Sequence, residues 1–280
     1  MTIVRHSKPP SNTHRSGRTG RPKFTPAKNL GSAGFQLQFD WARSISKSEW
    51  DIYLKAIHVF RDAGVQFMLG GGFALATFTG RWRDTKDIDF YVRPRDRRAA
   101  IAALARSGFA DYYSKQRYDR RWIHRNTKSN VIVDIIWSMA NRRAAVDEVW
   151  FELAGSVWIR GVELAVIPME EFLWCKLYIL QRDHCDWTDS LNLIYARGHQ
   201  IDWNHLIRRL GEDTPLLTAL LSVYRWLCPT RACQLPAALW NKVGLPLPQP
   251  APGFERKRIR WLDSRAWFAA LQPKKAKLDV

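Results

Sequence analysis

Residues 131–137 read Val-Ile-Val-Asp-Ile-Ile-Trp. A run this apolar and β-branched predicts a strand, and without polar alternation the strand is buried on both faces of a sheet. The chain must therefore cover that sheet with other layers. One carboxylate, Asp134, interrupts the run. An acid in such a place has to be paired with a cation or bind a metal. Hydrophobic residues make up 46% of the 280 residues, enough for a real core, so a wholly disordered chain is excluded.

The surrounding pattern supplies the layers. Ser46 and Glu49 have capping-box spacing, and Trp50, Tyr53, Leu54 and Ile57 follow at helical intervals until Gly64. Further strands are predicted at Val65–Leu69, Asp87–Val92, Ser156–Arg160 and Glu163–Ile167. A short apolar helix runs from Phe73 to about Phe78, and another opens at Pro94 and stops at Gly108. After Pro168 only helices are predicted: Glu170–Arg182, Asp186–Ala196, Trp203–Leu210 and Leu216–Leu227. The Pro-rich stretch Leu245–Pro252 ends that block. The outline is a small α/β or α+β core over residues 40–168 and a helical region over 169–250.

The net charge of +18 suggests a polyanionic partner. Its distribution weakens that inference. Residues 1–39 contain no acid and carry +7, residues 254–280 carry +5, and 40–253 carry only +6. The two ends read as basic tails, 1–39 and 251–280, whose charge suits contact with nucleic acid, and the first is expected to be disordered. No apolar run approaches the roughly 18 residues of a membrane span, and no apolar leader is visible. The acid-free N-terminus also has the composition of an organellar transit peptide. Four scattered cysteines suit reduced thiols, so a cytoplasmic protein without membrane contact is expected.

The densest chemistry lies in residues 70–89. In a strand, Asp87 and Asp89 project from one face while Ile88 and Phe90 enter the core. Two carboxylates so close repel, and a hard divalent cation such as Mg²⁺ or Mn²⁺ relieves the repulsion. If the Asp134 strand lies beside this one, three carboxylates converge; an arginine salt bridge is the structural alternative. Gly70-Gly71-Gly72 sits between a strand and a helix start, where free amides receive a phosphate. Together these features describe a site for a nucleoside triphosphate and a metal. Neither a Walker lysine pattern nor a Gly-x-Gly-x-x-Gly fingerprint occurs.

Gly71-Gly72-Phe73-Ala74-Leu75 followed by Arg83-Asp84-Thr85-Lys86-Asp87-Ile88-Asp89 resembles the nucleotidyltransferase superfamily that includes DNA polymerase β. The nearest likeness is to the nucleotidyltransferase-like toxins of abortive-infection systems and to small antibiotic nucleotidyltransferases. In the toxins a later helix carries a lysine before an Asp-x-x-Asp segment; Lys176 and Asp186-Trp187-Thr188-Asp189 match that order. The resemblance spans roughly residues 65–195. It departs in one respect: many members have Gly-Ser where this chain has Gly71-Gly72, so phosphate contact there rests on backbone amides alone.

The resemblance implies an α+β, α/β-like fold with a mixed sheet and a helical C-terminal region. It implies transfer of NMP from an NTP, ATP among them, with release of pyrophosphate. Asp87 and Asp89 would hold two Mg²⁺ (or Mn²⁺) ions. Asp134 would hold one of them and activate the acceptor hydroxyl. Gly71, Gly72, Arg83, Thr85 and Lys176 would bind the nucleotide, with Thr85 also read as a turn support. Asp186 and Asp189 would orient Lys176 or the nucleotide, or serve only the helix dipole. The acceptor, whether an RNA or tRNA end, a protein or a small molecule, is not legible, nor is a toxin–antitoxin context. The alternative is a nucleic-acid-binding protein on a degenerate transferase fold. Trp82, flanked by Arg81 and Arg83, is the candidate for base stacking, and His184 and Cys185 are expected to be surface or core-packing residues.

Overall fold

A computed structural model describes residues 40–83 and 85–262; the proposed tail 1–39 and the last part of the C-terminal one, 263–280, lie outside the described residues. Helix α1 (Lys47–Asp62) begins at the predicted capping box: the Ser46 hydroxyl accepts the Glu49 amide, and the Glu49 carboxylate accepts the Ser46 amide. Strand β1 (Met68–Leu69) leads through Gly70 into α2 (Gly71–Thr79), which ends on left-handed Gly80. Strand β2 (Asp87–Tyr91) follows, then α3 (Arg97–Arg106), which starts only after the turn at Pro94. Next come β3 (Ala110–Asp111), β4 (Ile123–Lys128), β5 (Val131–Ile136), α4 (Glu148–Glu152), β6 (Gly155–Ile159) and β7 (Val162–Val166).

The seven strands form one mixed sheet in the order β3-β4-β5-β2-β1-β7-β6. β2 lies parallel to β5 and antiparallel to β1, β1 runs parallel to β7, and β4 runs antiparallel to β5. Ile88 and Phe90 point to the face covered by α1, where Phe90 meets Phe60 edge-on at 5.1 Å. Burying such rings removes a large apolar area from water, about 25 cal/mol for each Å².

From Met169 onward every described element is helical: α5 (Met169–Leu177), α6 (Trp187–Arg197), α7 (Trp203–Leu210), α8 (Thr214–Leu227), α9 (Pro229–Ala232), α10 (Ala237–Lys242) and α11 (Phe254–Leu262). Helix α11 falls within the stretch 251–280 read as tail. It is held by Trp261 against Trp226, with ring centres 6.0 Å apart. Among the described residues no helix is long and apolar enough to cross a membrane.

Candidate active site

Directly paired residues of neighbouring strands project from the same face. β2 and β5 pair Asp89 with Asp134, and β4 and β5 pair Asp134 with Arg125. Arg125, Asp134 and Asp89 therefore form one row across three strands, and Asp87 stands one step along. Ligand oxygens of Asp87, Asp89 and Asp134 all lie within 4.8 Å of one another, as the sequence predicts. Asp134 is fully buried, while Asp87 and Asp89 are half-buried.

Burial, then repulsion from Asp87 and Asp134, raises the Asp89 carboxyl well above the usual carboxylate range. Burial likewise pushes Asp134 up to about 6, even though Arg125 pulls it down. The Arg125 guanidinium forks onto Asp134: Nε lies 2.9 Å from Oδ1, and Nη2 lies 2.6 Å from Oδ2. The same Nη2 is 3.6 Å from Asp87 Oδ2. Both of the expectations for Asp134, convergence with the other acids and an arginine pair, are thus present together.

Gly71 opens α2 with φ +48°, and a Cβ there would sit 1.7 Å from Asp89 Oδ2. Glycine is required on both counts, conformation and space. Gly70 precedes it without a side chain to cap the helix, so the first amides of α2 have no side-chain cap beside the acid row. Thr85 supports the site: its hydroxyl donates to Asp87 Oδ1 at 2.5 Å, and it lies against Gly72.

Lys176, on α5, closes the site from the other side. Its Nζ bonds Asp186 Oδ2 and lies 3.1 Å from Asp189 Oδ2. Burial alone would lower its pKa, but Asp189 and Asp186 outweigh burial and raise it. Arg83 reaches Asp189 at 3.4 Å, and His184 reaches Asp186 at 2.9 Å. The two acids thus orient Lys176; the Asp186 side chain makes no capping bond to α6. Replacing Lys176 with Met would leave two buried acids short of their counter-charge. Such loss costs about 3–5 kcal/mol, so the melting temperature should fall by roughly 6 °C or more. Adding Asp186→Asn and Asp189→Asn to Lys176→Met should recover part of that loss; no recovery would mean that packing, not charge, holds the lysine.

Between the acid row and α5 lies a pocket of about 150 Å³. Gly71, Asp89, Asp134, Arg125 and Lys176 form its polar end, and Tyr91, Trp122, Ile136, Met139, Phe172 and Ile179 form part of its apolar wall. Three carboxylates against one guanidinium leave a formal excess of two negative charges. Hard oxygens, convergence and that excess all fit a divalent cation.

A family model described as "uncharacterised nucleotidyltransferase" matches residues 50–227, which contain the whole site. The chain belongs to this nucleotidyltransferase family. Similar solved structures include the antibiotic-resistance factor ANT(2'')-Ia, at 15% identity over 65% of this chain and 93% of that one, with a TM-score of 0.40. Another is the lincosamide antibiotic adenylyltransferase LnuA, at 18% identity over 53% of this chain and 96% of that one, with a TM-score of 0.38. JHP933 from Helicobacter pylori matches at 16% identity over 64% of this chain and 80% of that one, with a TM-score of 0.34. No curated protein matches the chain.

In this nucleotidyltransferase one polar residue of the site escaped the sequence reading. Arg125 lies on β4, whose sequence Ile-His-Arg-Asn-Thr-Lys shows no apolar alternation. A signal was nevertheless present. Ser129 and Asn130 both have positive φ, 49° and 64°, and form a two-residue hairpin turn that fixes Arg125 opposite Asp134. Trp82 stacks on Trp41 with ring centres 5.4 Å apart and meets Phe73 edge-on, so one of its faces is already taken. Cys185 is exposed, in keeping with a surface position.

Proposed function

We propose that this nucleotidyltransferase is metal-dependent and moves NMP from an NTP to a hydroxyl or phosphate acceptor. The observation that carries the reading is the row of three carboxylates beside the start of α2, where Gly71 lies against Asp89. A divalent cation held by Asp87, Asp89 and Asp134 would neutralise charge on the reacting phosphate and lower the pKa of an acceptor hydroxyl. The Gly71 and Gly72 amides receive phosphate oxygens. Lys176 and Arg83 supply positive charge for the pyrophosphate. The acceptor oxygen bonds to the α-phosphorus as the bond to the bridging oxygen breaks, and pyrophosphate leaves. Asp134, the buried carboxylate of the row, takes the hydroxyl proton.

RNA or tRNA ends, proteins and small molecules all remain acceptor classes. Incubation with each labelled NTP, Mg²⁺ or Mn²⁺, and either total RNA or lysate should place label on one of them. Label on none, from any NTP, would overturn the reading.

One observation favours nucleic-acid binding as a second reading. Residues 93–143 carry thirteen Lys and Arg against four acids, a net +9. That stretch includes the β3–β4 edge, where Tyr112, Tyr113 and Tyr118 alternate with basic residues. RNA retention that weakens steeply with salt, without any transfer, would support it.

A further inference from the structure

Arg125 does more than satisfy one buried acid. Its guanidinium takes both oxygens of Asp134 and reaches toward Asp87, so it bridges two of the three carboxylates that converge on the site. A cation shared by those two residues would occupy the same ground. Asp89 makes no hydrogen bond to Arg125; its Oδ2 lies against Gly71, and it lines the pocket beside Asp134. The Arg125 side chain is 29% exposed, so it is free to turn toward solvent, whereas the carboxylate of Asp134 is not.

We propose that Arg125 holds the place of one of the two cations this acid set could bind, and that it competes with metal for Asp134. The inference rests on the metal-dependent reading above. Before nucleotide arrives, the charge left over by the guanidinium matches a single divalent ion, held on the Asp87–Asp89 side. A second ion enters only when Arg125 releases Asp134. An arginine suits this role better than a lysine, because its planar fork covers both oxygens of a carboxylate at once and cannot lose its charge.

Metal binding tests this without reference to turnover. Mn²⁺ is titrated into the full chain, free of nucleotide, with the free ion followed by electron paramagnetic resonance. The wild type should take one Mn²⁺ per chain. Arg125→Met should take two, or bind the first at least about tenfold more tightly, since a nearby positive charge is gone. Its melting temperature should also rise more with Mn²⁺ than that of the wild type. Equal stoichiometry and equal affinity in the two chains would overturn the proposal and leave the metal-dependent reading standing. No binding by either chain would overturn both. Should Arg125→Met fail to fold, Arg125→Lys keeps the charge but loses the fork. It should then bind Mn²⁺ more tightly than the wild type, and affinity equal to the wild type would sink the idea.

Discussion

Asp89→Asn should abolish nucleotidyl transfer and yet make the metal-free protein more stable. The carboxyl is half-buried, and it is repelled by Asp87 and Asp134 within a set that spans 4.8 Å. Neutral asparagine keeps the shape and removes the repulsion. Relief of this kind is worth about 1 kcal/mol, so the melting temperature should rise by roughly 2–4 °C. Loss of an ion that supplies several kcal/mol to the transition state should lower transfer by about a thousandfold or more. The pH dependence has a defined sign. The folded-state pKa of Asp89 is raised, so the wild type keeps this proton at acid pH and the repulsion is absent there. The repulsion appears as pH rises through the raised pKa. The stability advantage of Asp89→Asn should therefore grow with pH, as thermal melts at successive pH values would show. An advantage that shrinks with rising pH, or transfer that survives, would place Asp89 outside the reacting centre.

Gly71→Ala is the second large effect. At φ +48° an alanine costs about 1–2 kcal/mol by backbone conformation alone. Its Cβ would also meet Asp89 Oδ2 at 1.7 Å, so either the carboxylate or the start of α2 must move. Gly64→Ala is an internal control, since that glycine has φ +67° and nothing within 4 Å. The difference between the two variants isolates the steric part. Gly71→Ala should melt lower than Gly64→Ala and lose transfer, while Gly64→Ala should keep transfer near wild type. Equal melting and equal activity would show that the contact between Gly71 and Asp89 is slack.

The acid row was readable because its signals are local and periodic. The i, i+2 spacing put Asp87 and Asp89 on one face, and the apolar run around Asp134 announced burial on both. The capping box likewise fixed the start of α1. Lys176 came from order along the chain rather than from any local pattern. What was missed is non-local or weakly patterned. β4 has no hydrophobic rhythm, so its arginine gave no hint of a strand; only the handedness of the Ser129–Asn130 turn sets its register. The apolar wall from Ile136, Phe172 and Ile179 is assembled from elements far apart in sequence, and only packing shows that they share one pocket. The described end of the presumed C-terminal tail is helical because Trp261 finds Trp226, a contact that composition does not contain.

The β4–β5 hairpin also bears on how the site is assembled. Arg125 and Asp134 are nine residues apart across a tight turn, a distance that closes on the microsecond scale of hairpins. Asp89 joins Asp134 only after a parallel crossover through α3, β3 and β4, a slower step that waits on loop closure. On these timescales the buried acid is expected to be paired before β2 brings two more carboxylates beside it. Along this route the folding chain never has to gather three unpaired acids at once, and the repulsion within the acid row develops last.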